Sequence, residues 1–160
     1  LNLLAARAPR VDWMLFFNDG AKSCVVTEKA LHESLLRGAS ATQMTPVNYA
    51  YTNHLLATVS RKSFAEGVAA VLPCYQIYWE VGKELKRRGS KNGDYQRWID
   101  QYSDPKYGAE VGKILKIMDE EAARLNEAQK QVCVDLFVTS SRYEYQFWDM
   151  AWRMERWEPQ

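Results

Sequence analysis

Cys74 follows a proline inside the stretch LPCYQIYWE (72–80), and Tyr78 comes four residues after it. Residues four apart share one face of a helix, so this spacing puts the thiol and the tyrosine hydroxyl side by side. A free cysteine is usually a small buried hydrophobe, and we expect that role for Cys24 and Cys133. A nucleophilic cysteine needs a cation, a helix N-terminus or a base nearby, and the adjacent residues supply none. Spacing alone therefore leaves both roles open for Cys74.

Glu144 interrupts an apolar stripe near the end of the chain. At helical spacing it shares one face with Phe137, Ser140, Phe147, Ala151 and Met154. Burial of a carboxylate costs free energy unless the group is paired or hydrogen-bonded, and burial also raises its pKa. Glu144 is therefore either part of a structural ion pair or a functional acid–base group.

Tyr51 and Tyr102 fall on two other predicted helices. Each tyrosine alone is typical of a core residue whose hydroxyl has found a partner. If both converged with one thiol and one carboxylate, they would form an aromatic chamber suited to a flat heteroaromatic ligand. Helical spacing does not show whether residues on different helices meet.

Glu28 and His32 are the pair with the most resemblance to metal ligands. Di-iron helical bundles use a Glu-x-x-His pair from each of two helices, with further glutamates. Here the spacing is Glu-x-x-x-His, it occurs once, and the only other histidine is His54. The ligand count therefore fails, and the sequence predicts neither a metal site nor a cofactor.

Helices must position these side chains, because apolar residues recur at spacings of three and four and no alternating strand pattern occurs. A capping box at Ser63 and Glu66 and prolines after Thr45 and Asp104 mark helix starts. Pro9 ends a short first helix, and a turn is expected at 38–42. The further helices are predicted at Val11 to Leu36, Pro46 to Ser60, Ser63 to Arg88, Asp94 to Tyr102, Pro105 to Leu125 and Glu127 to Trp157. We expect one all-α domain over residues 1–160, a bundle of about six helices.

Composition excludes several classes of function. The chain has 160 residues and a net charge of +1, which gives no electrostatic case for binding nucleic acid. It has no run of 18 apolar residues, so no membrane span is predicted. Three widely spaced cysteines do not form a disulfide framework, and a cytoplasmic location is the simplest expectation. The chain opens at Leu1 on a helix that has no capping residue, so we expect it to be part of a longer protein.

Four segments resemble, in the same order, the thiaminase II family, the TenA-type aminopyrimidine aminohydrolases. They are PVNYAYTNHLL (46–56), LPCYQIYWEVGKEL (72–85), YQRWIDQYSDPKY (95–107) and SSRYEYQFWDMAWRMERW (140–157). The resemblance implies an all-α haem-oxygenase-like fold without haem, and a homotetramer. It also implies hydrolysis of 4-amino-5-aminomethyl-2-methylpyrimidine to the hydroxymethyl pyrimidine and ammonia, and in many members cleavage of thiamin.

Residue by residue, the resemblance assigns the nucleophile to Cys74, in the cysteine-bearing branch of the family, and the acid–base carboxylate to Glu144. The residues it assigns to the substrate pocket are Tyr51, Tyr78, Tyr102 and Phe147. The sequence departs from the family at Gln76, where an aromatic residue is usual. The chain matches the C-terminal three-quarters of the family domain, whose first helices carry an aspartate and a further aromatic residue of the pocket.

Two other functions remain open from the sequence. One is a non-catalytic helical protein that binds a heteroaromatic ligand or acts as an accessory factor. The other is a haem-oxygenase-like oxidase that uses a metal or an organic cofactor.

Overall fold

The computed structural model describes residues 1–36 and 43–159, and the chain there folds into helices. Their bounds are α1 Asn2–Arg7, α2 Val11–Ser23, a π-helical turn Cys24–Glu28, α3 Lys29–Leu36, α4 Pro46–Arg61, α5 Phe64–Arg88, α6 Gly93–Tyr102, α7 Pro105–Ala122 and α8 Glu127–Arg153. No strand occurs among these residues, and the all-α prediction is confirmed. The turn predicted at 38–42 lies outside the described residues. None of the described helices combines the length and apolarity needed to cross a membrane.

Side-chain caps open several helices where the sequence predicts them. The Ser63 hydroxyl accepts from the Glu66 N–H at 3.3 Å, and the Glu66 carboxylate accepts from the Ser63 N–H at 2.9 Å. Thr45 caps α4 and Asp104 caps α7, each directly before a proline. A side chain that satisfies an unpaired N–H of the first turn typically stabilises a helix by about 1 kcal/mol. These local signals explain why the predicted starts agree with the structure.

Helix α5 lies at the centre of the fold and packs against α4, α6, α7 and α8. The buried core joins its side chains to those of α1, α2, α4 and α7; it includes Leu4, Phe17, Val59, Val68 and Ile114. Burying one such large apolar side chain contributes about 1.5–3 kcal/mol. Pro73 is itself fully buried, and α5 continues through it. Cys74 therefore sits on a helix that is held from several sides.

The helix predicted from Val11 to Leu36 differs from the structure in two ways. First, the Lys29 N–H bonds to the Cys24 carbonyl five residues back, which makes a π-helical turn between α2 and α3. Second, no residue of this turn or of α3 is buried. The prediction that Cys24 is a core thiol is therefore wrong, because Cys24 is exposed. Periodicity shows which face of a helix is apolar, but it does not show whether another helix covers that face.

The last two helices end earlier than predicted. Helix α8 ends at Arg153, because Met154 takes a left-handed conformation with φ 52°. Ala151 and Met154 are exposed rather than part of a buried stripe. Helix α7 ends at Ala122, three residues before Leu125.

Candidate active site

A cavity of about 860 Å³ is lined by residues of the π-helical turn and of helices α1, α2, α4, α5, α6, α7 and α8. It is lined by all six residues that the sequence analysis singled out as site residues: Tyr51, Cys74, Tyr78, Tyr102, Glu144 and Phe147. These residues come from four helices, so tertiary packing brings them together. Gln76 is not among the residues that line the cavity.

The Tyr51 hydroxyl connects the cysteine to the carboxylate. Its oxygen lies 2.9 Å from Cys74 Sγ, and its O–H donates to Glu144 Oε1 at 2.7 Å. A tyrosine hydroxyl has one proton, and here that proton points to Glu144. The Cys74 thiol can then donate its own proton either to the Tyr51 oxygen or directly to Glu144. A continuous hydrogen-bonded path therefore runs from the thiol to the carboxylate.

Burial sets the protonation of this pair. The Glu144 side chain is only 3% exposed, and burial raises the pKa of its carboxyl above the ordinary value despite hydrogen bonds from Tyr51 and Cys74. Burial, with the nearby Glu144 charge, also raises the pKa of the Cys74 thiol well above its ordinary value. The described partners of Glu144 are a hydroxyl and a thiol, not a cation. The Cys74 thiol therefore loses its proton more readily to the neighbouring ionised carboxylate of Glu144 than to water.

An aromatic wall, formed by Tyr78, Trp98, Tyr102 and Trp148, closes one side of the site. The rings of Tyr78 and Tyr102 lie 5.0 Å apart, and those of Trp98 and Tyr102 lie 4.6 Å apart. Trp148 packs 6.0 Å from Tyr78. Ring pairs at these distances contribute about 0.5–1.5 kcal/mol beyond the area they bury. The two tryptophans, which pack against the two cavity-lining tyrosines, were not predicted as site residues.

Gly82 allows the end of α6 to approach α5 closely. A Cβ atom at this position would lie 2.6 Å from the Tyr102 carbonyl oxygen, a distance that real Cβ atoms do not tolerate. Tyr78 lies one turn before Gly82 on α5. The absence of a side chain at Gly82 therefore helps to bring Tyr102 beside Tyr78.

Tyr107 hydrogen-bonds to the backbone of α5 at Cys74. Its hydroxyl donates to the carbonyl oxygens of Tyr75 at 3.1 Å and Cys74 at 3.3 Å, and its ring also lines the cavity. No role was predicted for Tyr107 from the sequence. Its role depends on a contact across 33 residues of sequence, which helical spacing does not reveal.

Glu28 is a second carboxylate that lines the cavity, and its Oε1 accepts from the Tyr102 hydroxyl at 2.7 Å. From the sequence, Glu28 was a candidate only as a metal ligand. His32, its supposed co-ligand, is exposed. Within the described ranges, no three His, Cys, Asp or Glu side chains are grouped so that they could hold a metal ion. At helical spacing Glu28 falls near the apolar residues Val25, Leu31 and Leu35, and this pattern, like that around Glu144, could have marked it.

The chain is similar in sequence to proteins of known name. The chain is 40% identical over 112 residues to the aminopyrimidine aminohydrolase of Bacillus subtilis, a match that covers 70% of this chain and 48% of that protein. It is 36% identical over 110 residues to the aminopyrimidine aminohydrolase of Halalkalibacterium halodurans, covering 68% of this chain and 49% of that protein. The chain thus spans about half the length of these curated relatives.

The fold also matches solved structures. A TenA homologue from Pyrococcus furiosus superposes with a TM-score of 0.83 at 28% identity, covering 93% of this chain and 73% of that one. This likeness confirms the predicted haem-oxygenase-like helical fold. The model of the TENA/THI-4/PQQC family matches residues 24–154, which include the π-helical turn and every predicted site residue. With that match over most of its length, the chain belongs to the TENA/THI-4/PQQC family.

Proposed function

We propose that this protein hydrolyses 4-amino-5-aminomethyl-2-methylpyrimidine to 4-amino-5-hydroxymethyl-2-methylpyrimidine and ammonia, in thiamin salvage. The observation that carries the proposal is the Tyr51 hydroxyl, which joins Cys74 Sγ to Glu144 Oε1 inside an aromatic cavity. The names of the two curated relatives support the same reaction. Thiamin, which carries the same pyrimidine ring, is a second candidate substrate.

The cavity suits a flat heteroaromatic ring. Its volume of about 860 Å³ lies within the range of about 300–1,000 Å³ that is usual for small-molecule sites. Phe147 and Tyr78 offer ring faces for stacking, and the hydroxyls of Tyr51 and Tyr102 offer polar contacts at the ring edge. Cys74 and Glu144 would lie against the same bound ring, since both line this cavity.

In the first half of the proposed reaction, the thiol proton of Cys74 passes to Glu144 directly or through Tyr51. The sulfur then forms a bond to a carbon of the pyrimidine, and the ring loses its aromaticity. Glu144 returns the proton to the nitrogen of the aminomethyl group as the bond between that nitrogen and the methylene carbon breaks. Ammonia leaves, and an exocyclic methylene group remains on the sulfur-bound ring. Covalent attack in this way divides one difficult displacement into easier steps.

In the second half, water adds to the methylene carbon while Glu144 takes its proton. The electron pair that enters the ring expels the sulfur, which breaks the C–S bond and restores the aromatic ring. The released thiolate of Cys74 recovers its proton from Glu144. The carboxyl must act as acid in one half and as base in the other, and a pKa raised above the ordinary carboxyl value suits both tasks.

The purified full-length protein is expected to release ammonia from the aminopyrimidine, in equal amount with the hydroxymethyl product. The measurement is an ammonia assay with chromatography of the pyrimidine, repeated with thiamin to compare the two kcat/KM values. Binding of the aminopyrimidine without any turnover would contradict the proposal. That result would favour the alternative of a non-catalytic protein that binds heteroaromatic ligands.

We also propose that the protein works as a homotetramer in the cytoplasm. Large aromatic side chains of α8 lie exposed, with Tyr145 71% and Trp152 88% accessible, and exposed apolar patches often mark protein interfaces. A reducing cytoplasm would keep Cys74 as the free thiol that the reaction requires. Light scattering on the eluted protein is expected to give four times the mass of one chain, and a single-chain mass would contradict the tetramer.

A further inference from the structure

Tyr143 is a partly buried tyrosine of α8 that lies beside the site but does not line the cavity. Its ring stacks on the ring of Tyr51, with the two centroids 5.2 Å apart and the two planes 13° from parallel. Nearly parallel, offset rings are one of the preferred arrangements of aromatic pairs. Tyr143 directly precedes Glu144, so one short stretch of α8 supplies both the carboxylate and a ring that supports Tyr51.

Two further residues of the contact between α4 and α8 hold the Tyr143 ring. The ring of His54 packs against it with the centroids 5.4 Å apart. His54 Nε2 also lies 3.0 Å from Ser140 Oγ, and Ser140 is fully buried. Ser140 precedes Tyr143 by three residues, so the two side chains share one face of α8. Tyr143 therefore rests on two rings of α4, one of which is hydrogen-bonded back to α8.

The hydroxyl of Tyr51 has to meet two partners at once. Its oxygen lies 2.9 Å from Cys74 Sγ and 2.7 Å from Glu144 Oε1. Hydrogen bonds weaken steeply when the distance and the angle leave their narrow range. The hydroxyl lies at the far end of the side chain, so a small rotation of the ring would carry it away from one partner. A ring stacked on the face of Tyr51 opposes that rotation.

We propose that Tyr143 is a positioning residue, whose ring keeps the Tyr51 hydroxyl between the thiol and the carboxylate. The inference rests on the proposed function and adds to it a residue outside the cavity. Tyr143 acts through Tyr51 and makes no contact with the substrate.

The position of the Tyr51 hydroxyl has a measurable effect on Glu144. Burial, the largest influence, raises the pKa of the Glu144 carboxyl, and the charge of Glu28 adds to this effect. Hydrogen bonds from Tyr51 and Cys74 lower the same pKa. If the Tyr51 hydroxyl moves away, one of these two hydrogen bonds is lost and the pKa of Glu144 rises further. The rate of the reaction should then begin to fall at a higher pH.

The test compares pH–rate profiles of ammonia release by the full-length protein and its variants. Tyr143→Met fills much of the same space without a planar ring. Its maximal kcat should be about 10-fold below that of the wild type. The midpoint of its acid limb should lie about one pH unit higher. Tyr143→Phe keeps the ring and should give the wild-type value of both quantities.

Tyr95→Met is the matched control, because Tyr95 is a 66% exposed tyrosine of α6 that does not line the cavity. Its profile should equal that of the wild type. Tyr51→Phe removes the hydroxyl itself and should move the acid limb in the same direction as Tyr143→Met. Adding Tyr143→Met to Tyr51→Phe should then change neither kcat nor the acid limb further. That non-additivity is the signature of one residue acting through the other.

Three outcomes would overturn the inference. The first is a Tyr143→Met variant that keeps the wild-type acid limb, or that lowers kcat equally with and without the Tyr51 hydroxyl. The second is a Tyr143→Phe variant as impaired as Tyr143→Met, since the ring would then not be the part that matters. Melting curves accompany every profile, and Tyr143→Leu replaces Tyr143→Met if the methionine variant does not fold. The third outcome is that neither folds, which would make the role of Tyr143 structural.

Ammonia release by the wild type is measured first, so the two proposals fail separately. An active wild type with an unmoved acid limb in Tyr143→Met overturns this inference alone. A wild type that releases no ammonia overturns the proposed function and, with it, the inference.

Discussion

The Cys74→Ser variant should release ammonia from the aminopyrimidine at least about 10³-fold more slowly than the wild type. A serine hydroxyl is a far weaker nucleophile than a thiolate, and Glu144 is too weak a base to ionise it. The serine O–H can still donate to the Tyr51 oxygen, so the hydrogen-bonded path that Cys74 makes is retained. Initial rates at saturating substrate, with a melting curve for each protein, separate this chemical loss from a loss of folding.

The other two cysteines provide the controls for this result. Cys133 is buried against Ala65 and Ala69, away from the cavity, so Cys133→Ser should keep the wild-type rate. Intact-protein and peptide mass spectrometry with a slow substrate should then locate the pyrimidine adduct on Cys74. Cys24 is the more stringent comparison, because it lines the same cavity. An adduct on Cys24 would place the nucleophile on the π-helical turn and contradict the proposed mechanism.

Local signals in the sequence predicted the helices, and they failed where packing between distant segments decides the outcome. Both members of the capping box, Ser63 and Glu66, lie within four residues of sequence, so the start of α5 could be predicted from the sequence. The exposure of Cys24 could not be predicted, because it depends on whether another element covers that face of the helix. The π-helical turn likewise has no signature in the apolar pattern, which continues through it.

The same distinction applies to the site. Cys74 and Tyr78 share a helix, and their spacing alone places them on one face. Tyr51 is 23 residues from Cys74 and 93 from Glu144, so only the tertiary structure shows that its hydroxyl joins them. The family resemblance identified residues to examine but did not reveal this path. The contact of Glu28 with Tyr102 could not be predicted, because a carboxylate near an apolar stripe suggests a partner without indicating which one.

Glu144→Gln should slow ammonia release by about 10²- to 10⁴-fold, the usual contribution of general acid–base catalysis. It should not lower stability at pH 7. Burial raises the pKa of Glu144 in the folded protein, so between the ordinary pKa and the raised one the folded state holds a proton that the unfolded chain has released. The ionised carboxylate therefore costs stability increasingly as pH rises through the folded-state pKa, and that cost is absent at pH values below the ordinary pKa of 4.5. Glutamine is neutral at every pH and avoids this cost.

Thermal unfolding at pH 7 should accordingly give Glu144→Gln a Tm at least as high as that of the wild type, while its activity is lost. Glu127→Gln, at a side chain 90% exposed on the same helix, should change neither quantity appreciably. A Tm several degrees below the wild type would instead indicate that Glu144 stabilises the fold through its contacts. Full activity in the variant would remove Glu144 from the mechanism.

The pH dependence of kcat identifies the same group independently. The active form of the pair holds one proton, shared between Cys74 and Glu144, and a second proton on Glu144 removes the acceptor for the thiol proton. The rate should therefore fall as pH drops through the raised pKa of Glu144, with a midpoint above 4.5. In Glu144→Gln this acid limb should disappear from the residual rate, because glutamine does not titrate. An acid limb that persists unchanged in the variant would assign the titration to another group and contradict the role of Glu144 as the proton acceptor.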